Sequence, residues 1–493
     1  MKNSFKKSIS SLGLLFLVAS ISASCSLFKV DRLGPVGTVE DYDGYFKPSE
    51  YSVDNQKVNQ SVLRNTLKTT GNQKTLVVPV KLSDGPSWTS GMLSKLNTAF
   101  FGASNEIAWE SVSSFYKKSS YGKLNLSGEV YSVPLSVNAT IRQANSFYDS
   151  GQGQFSDYVG NLFHKYCKEN DPTILKKYDS DGDNLVDAIC FVYSNNYGGD
   201  AFWAWTGWWN DIKGTNGIPG LNNYMWVSYE FMNDGKLGEV DAKTYIHEFG
   251  HILGLDDYYD YGGASKPLGG LDMMDHNIVD HNGFSKMLCE WSYPYIVDGT
   301  ENETIVSIQP FESSGDCVIV GSSWNGSAFD EYLLLEYYTP TGLNKFHSID
   351  GNTDSAGNSG FTIPGIKIHH IDARLARLRI DRNSDLVFDS YVTTVPNYTA
   401  YYYLPAASNS LRYSFASNPN YKLIRLLEAT GVNSFMSNGM ADNNTLFQEG
   451  DSFEASSVFF TNGKNFNNGK SVGYRIEIED LSGAEAIIKF TKI

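Results

Sequence analysis

Residues 245 to 260 read YIHEFGHILGLDDYYD: His247 and His251 stand four apart with Glu248 between them, followed by Gly254 and the pair Asp256 and Asp257. On a helix, residues four apart project to one side. Two imidazoles at that spacing can hold one zinc ion, with Glu248 beside it as a base. Gly254 offers the left-handed turn that ends the helix, and the redirected chain can bring Asp257 in as a third ligand. Asp256 is its adjacent rival. Three protein ligands leave a fourth position for water, which zinc acidifies while polarising a scissile carbonyl. Glu248 would take the water proton and return it to the departing amine. An aspartate in place of a third histidine brings more negative charge and tempers the Lewis acidity. The bland alternative is a core helix with hydrogen-bonded histidines.

The helix must be positioned by its neighbours. Asp241 is expected as its N-cap, with the helix beginning at Ala242. Gly250 inside it costs about 1 kcal/mol relative to alanine, a cost that close binding or a tight helix contact would explain. Ahead of the helix, "LNNYMWVSYEF" (221–231) and "LVDAICFVYSNN" read as strands, and Lys74–Leu82 is a strand that Pro79 assigns to an edge. "WTSGMLSKLNTAFFG", "WESVSSFYKKSS" and "GQFSDYVGNLFHKYCKEN" have helical spacing. The aromatic run "FWAWTGWWN" (202–210) can line a cleft or fill a core. After residue 298 short strand-like pieces dominate, from "TIVSIQPF" through "LVFDSYVTTV" to a terminal hairpin of "GYRIEIEDL" and "AEAIIKFTKI". Within this β-rich module "YKLIRLLEATG" also fits a short helix.

A second metal-binding pattern precedes the motif. "DSDGDNLVD" places Asp179, Asp181, Asp183 and Asp187 at positions one, three, five and nine of a loop, with the Leu185 carbonyl at position seven. Closely spaced carboxylates suit Ca²⁺. Asn184 stands at the sharp turn in place of glycine, and Cys190 at the twelfth position rules out a true EF-hand. A structural calcium loop is expected.

The stretch "HEFGHILGLDDYYD" resembles the HExxHxxGxxD zinc signature of the immune inhibitor A-like family of secreted bacterial zinc metallopeptidases. "SVSSFYKKSSYGKLNLSGEV", "LGGLDMMDHN", "NGFSKMLCEW", "DEYLLLEYY" and "GIKIHHID" are similar to other parts of that family, so the resemblance covers about residues 73 to 372. It implies His247, His251 and Asp257 as zinc ligands, Glu248 as the residue that activates water, and Met274 as the methionine beneath the metal. Asp256 departs from the family's usual proline. The implied fold class is α+β: a zincin/metzincin-like catalytic domain followed by a β-rich, sandwich-like C-terminal domain. The oxyanion-stabilising or substrate-contacting group is left among Tyr258, Tyr259 and His276, for which packing or ligand orientation is the default. His369 and His370, adjacent in a strand pattern, should face opposite ways and serve structure.

The 493 residues exceed one ordinary core. Expected domains are a signal peptide over 1–25, a linker or short leader over 26–72, a catalytic domain over 73–298 and a β-rich domain over 299–493. The net charge of −16 argues against nucleic acid as a partner. Lys2, Lys6 and Lys7 precede an apolar run, Leu12 to Val18, of export-signal build, and the stretch ending in Cys25 resembles a bacterial lipoprotein cleavage site. The chain is therefore expected at the outer face of the cell membrane, held by lipid on Cys25, or secreted. Cys167, Cys190, Cys289 and Cys317 allow three disulfide pairings or none. The functional expectation is an exported zinc endopeptidase acting on protein or peptide substrates. The alternatives are a zinc amidase acting on cell-wall peptides, or a non-catalytic surface lipoprotein that binds a surface glycan or host protein.

Overall fold

The computed structural model describes residues 67–493 apart from 148–154, 199–201, 210–211, 216, 234–239, 323, 325–327, 355–356, 380–400, 406 and 411–420, together with Asp31–Arg32. The expected leader with Cys25, most of the 26–72 segment, and the strand expected at "LVFDSYVTTV" lie outside the described residues. The architecture is α+β, with several sheets and intervening helices.

The first sheet comprises β1 (Gly71–Leu82), β2 (Leu124–Val130), β3 (Leu135–Val137), β4 (Ile189–Tyr193), β5 (Trp205–Trp208) and β6 (Asn223–Ser228). Its order is β2-β1-β4-β6-β5, with β3 beside the later half of β1. All pairs are parallel except β5, which runs antiparallel to β6 at the edge. Pro79 does not mark an edge: β1 is flanked on both sides. On the β2/β3 side, pairing stops at Val77 and resumes at Val80. The Leu76 N–H and the Val80 carbonyl both point to the β4 side, so by strand alternation Pro79 points its nitrogen into that gap, where no ladder donor is missed.

Alternation along these strands builds two cores. Leu76, Val78, Phe191 and Trp226 pack beneath α3 (Phe155–Asn170). Val77, Cys190, Val192, Met225 and Val227 face the other way, toward α1 (Ser90–Phe101), α2 (Val112–Ser119) and the motif helix α4 (Lys243–Ile252). Tyr245, Ile246, Phe249 and Ile252 are the residues α4 commits to that core. Helix α4 begins one residue later than expected. Asp241 is not its N-cap; its Oδ1 instead accepts the Lys243 N–H at 3.0 Å, a local turn that delays the helix. Short helices α5 (Met273–His276) and α6 (Gly283–Leu288) follow.

The second sheet contains β7 (Pro294–Val297), β9 (Cys317–Val320), β10 (Glu331–Tyr338), β11 (Gly365–Asp372) and β12 (Ile424–Leu427), and the third contains β8 (Glu303–Ile308), β13 (Ser452–Phe453), β14 (Tyr474–Leu481) and β15 (Ala486–Lys492). One face of the second sheet, through Ile319, Tyr332, Leu334 and Ile371, joins the core that holds α4. Its other face, through Leu333, Leu335, Ile366 and Ile368, packs on Ile476, Ile488 and Phe490 of the third. The sheet in the middle is thus buried on both sides, and β7, which precedes residue 298, already belongs to it. The terminal hairpin is β14–β15, as its alternation predicts. Of the two readings open for "YKLIRLLEATG", the strand holds: it contains β12, because pairing with β11 overrides the helical alternative. Cys167, Cys190, Cys289 and Cys317 are buried and form no disulfide. Among the described residues, no helix is long and apolar enough to cross a membrane.

Candidate metal centre

Helix α4 carries His247 and His251 one turn apart. Its end is a Schellman turn: Leu255 N–H bonds the Gly250 carbonyl and Gly254 N–H the His251 carbonyl, with Gly254 at φ 93°. The bend returns Asp257 to the histidines. Its Oδ1 lies 3.1 Å from His247 Nε2 and 3.3 Å from His251 Nε2, and one ligand atom from each residue falls within 4.8 Å of the others. Asp256 is not part of this group.

The other ring nitrogens fix the chemistry. His247 Nδ1 lies 2.8 Å from the Met273 carbonyl and His251 Nδ1 2.7 Å from the Leu255 carbonyl. A carbonyl only accepts, so both Nδ1 atoms carry hydrogen and donate. In the neutral rings each Nε2 is then a lone pair, and both lone pairs converge on a carboxylate oxygen. Three acceptors so placed need protons or a cation among them. Burial opposes charge on both histidines, but Asp257 prevails and raises them, His251 to about 10. Burial likewise opposes ionisation of Asp257, and the two histidines overcome it, holding the carboxylate well below its usual range. The donor set N, N, O, with Nδ1 hydrogens committed to the backbone, fits a zinc ion.

Gly250 lies on the turn between the two histidines. A Cβ there would meet Met274 Sδ at 2.5 Å, which resolves the glycine as a tight contact. Met274 is fully buried under α4, in a packing place consistent with its expected role. Glu248 is buried. Burial pushes its carboxyl upward, and the neighbouring histidines pull it back. Thr206 of β5 places its hydroxyl 3.2 Å from Glu248 Oε2.

The three remaining candidates separate. Tyr258 is fully buried with its hydroxyl 2.8 Å from Ser285 Oγ, so it faces the core and not the centre. Tyr259 and His276 line a cavity of about 620 Å³ that also contains His247 and Glu248. His276 Nδ1 donates to Asp354 Oδ2 at 2.8 Å. Burial works against its charge, but Asp354 and Asp275 raise its pKa. His369 and His370 are buried in β11, and His370 lies 2.9 Å from Glu331, in keeping with structural roles.

Several residues of the centre escaped the sequence. Tyr261 donates its hydroxyl to Asp257 Oδ2, leaving Oδ1 for the histidines; it sat unremarked beside the "DDYYD" run. Thr206 lay inside the aromatic run, where strand alternation turns it to the face opposite Trp205. Asp354 and Phe346 reach the cavity wall from a hundred residues downstream, with no motif to announce them.

In the acidic loop the structure gathers Asp179, Asp181 and Asp183. Asn184 takes φ 70°, the left-handed turn expected of it. Asp187 does not join them: its Oδ2 accepts both the backbone N–H and the hydroxyl of Ser180, and burial pushes its carboxyl up to about 6. Leu185 lies in a two-residue strand paired with Gly220. Compared with known protein families the chain matches none, and no curated protein matches it either.

Proposed function

We propose that the chain is an exported zinc-dependent endopeptidase with a zincin/metzincin-like catalytic unit. The observation that carries this reading is the convergence of His247 Nε2 and His251 Nε2 on Asp257 Oδ1, with both Nδ1 hydrogens held by backbone carbonyls. His247, His251 and Asp257 would hold the ion. Bound zinc supplies a Lewis acid that acidifies water and polarises a carbonyl.

The chain's own residues do the rest. Glu248, buried and raised by that burial, suits a group that takes a proton and returns it. With Oε2 against Thr206, Oε1 is the oxygen for that proton. The β5 strand lies at the sheet edge, where an extended peptide can add its backbone as a further strand. Tyr259 and His276, on the wall of the same cavity, are the side chains placed to donate to substrate oxygens. Asp179, Asp181 and Asp183 support a structural Ca²⁺, and Cys25 a lipid anchor.

The test is digestion of casein and of a peptide library by the purified chain. Cleavage within the sequence, abolished by a chelator and restored by one equivalent of zinc, is expected. Metal bound without any turnover would instead favour a binding module.

A further inference from the structure

Trp203 is 57% exposed, second among the large apolar side chains of the described residues only to the terminal Ile493. It lines the cavity that holds Glu248 and His247, together with Ala204, Phe231 and Phe346. Its ring is fixed: it stands at 88° to Tyr197 and 89° to Phe231, with both centroids at 5.4 Å. Tyr197 and Phe231 in turn stack on each other at 4.4 Å. An exposed indole held by two rings has little rotamer freedom left to lose when something covers it.

Its place in the chain sets what would cover it. Trp203 lies at a bend three residues before Thr206, the contact of Glu248, so at most roughly 10 Å of chain separates the two. A peptide laid along β5 with its scissile carbonyl at Glu248 brings a side chain within about three residues of that carbonyl onto this ring. Resting on the peptidase reading above, we propose that Trp203, backed by Phe231, forms the wall of a subsite that takes a bulky apolar side chain of the substrate within about three residues of the scissile bond.

Charges on the rest of the cavity wall are largely paired, Asp241 with Lys243 at 3.1 Å and His276 with Asp354 at 2.8 Å. Asp275 is held by a looser ion pair. Its Oδ1 has no hydrogen-bond partner among the described residues and lies 3.8 Å from His276 Nε2. The Asp275 side chain has no exposed surface, so a basic substrate side chain is the weaker occupant.

The experiment compares the zinc-loaded full chain with its Trp203→Ala and Trp203→Phe variants, matched for zinc content and melting temperature. A peptide library mapped by mass spectrometry locates the preferred position. Peptide pairs differing there as Phe or Leu against Ala then give the ratio of kcat/KM. The wild-type library should show bulky apolar residues at one fixed position. The ratio should fall roughly ten-fold in Trp203→Ala and largely return in Trp203→Phe. An unchanged ratio, or a preference for Lys or Arg at that position, overturns the subsite while leaving the peptidase standing. A wild type that cleaves nothing defeats the peptidase reading itself.

Discussion

The Thr206 hydroxyl lies 2.9 Å from the Glu248 backbone carbonyl and 3.2 Å from its Oε2. That group has one hydrogen to share between two acceptors, so the edge strand β5 ties the motif helix's glutamate through its backbone carbonyl, with the carboxylate as the longer contact. Replacing Thr206 by Val keeps the shape and removes the hydroxyl. Loss of a hydrogen bond to a charged group is worth about 1.5–3 kcal/mol, so kcat should drop at least ten-fold with zinc content unchanged. Thr206→Ser should retain most of the activity, which steady-state kinetics on one peptide will check.

Gly250→Ala gives a test whose sign is diagnostic. Helix propensity alone would make alanine stabilising by about 1 kcal/mol. The new Cβ, however, would meet Met274 Sδ at 2.5 Å, and overpacking of that kind costs about 1–3 kcal/mol. Denaturant titration should show net destabilisation. In the Gly250→Ala, Met274→Ala double variant the loss should be smaller than the sum of the two single losses.

Tyr261 acts on the centre through Asp257, whose Oδ2 it holds. Tyr261→Phe should therefore weaken zinc binding by roughly ten- to a hundred-fold, the usual scale for partners of metal ligands. Competition with a chromophoric chelator measures this. The stoichiometry should remain one at saturation.

His281 is buried among Phe115, Tyr116 and Trp291, and neither ring nitrogen has a hydrogen-bond partner among the described residues. Burial lowers its pKa to about 3. The unfolded chain binds a proton on this histidine below about 6.5, whereas the folded chain does not until about 3. Stability from the neutral ring is thus present at high pH and lost as pH falls through that window. His281→Phe should become more stable than the wild type as pH drops, by about 2 kcal/mol more at pH 5 than at pH 8. Urea midpoints at the two pH values provide the comparison.

What the sequence made legible was local and periodic. The spacing of His247, His251, Gly254 and Asp257 specified a helix, a turn and a converging set of candidate ligands, because each step is governed by residues within one turn of the next. The alternation of β14 and β15 announced strands for the same reason. What it hid depends on contacts far along the chain. Pro79 reads as an edge residue until the gap between β2 and β3 is seen. "YKLIRLLEATG" fits a helix as well as a strand until β11 claims it as β12. Asp187 carries the right spacing for the acidic loop, yet Ser180 takes its carboxylate. Asp354 finds His276 across 78 positions that no local pattern spans.

The most direct measurement compares wild type and Glu248→Gln, both loaded with zinc, for metal content and for turnover of a library-derived peptide. One zinc per chain is expected in each, with the variant cleaving more slowly than the wild type by roughly a thousand-fold or more. Equal cleavage by the two proteins, or a wild type that binds no zinc, would contradict it.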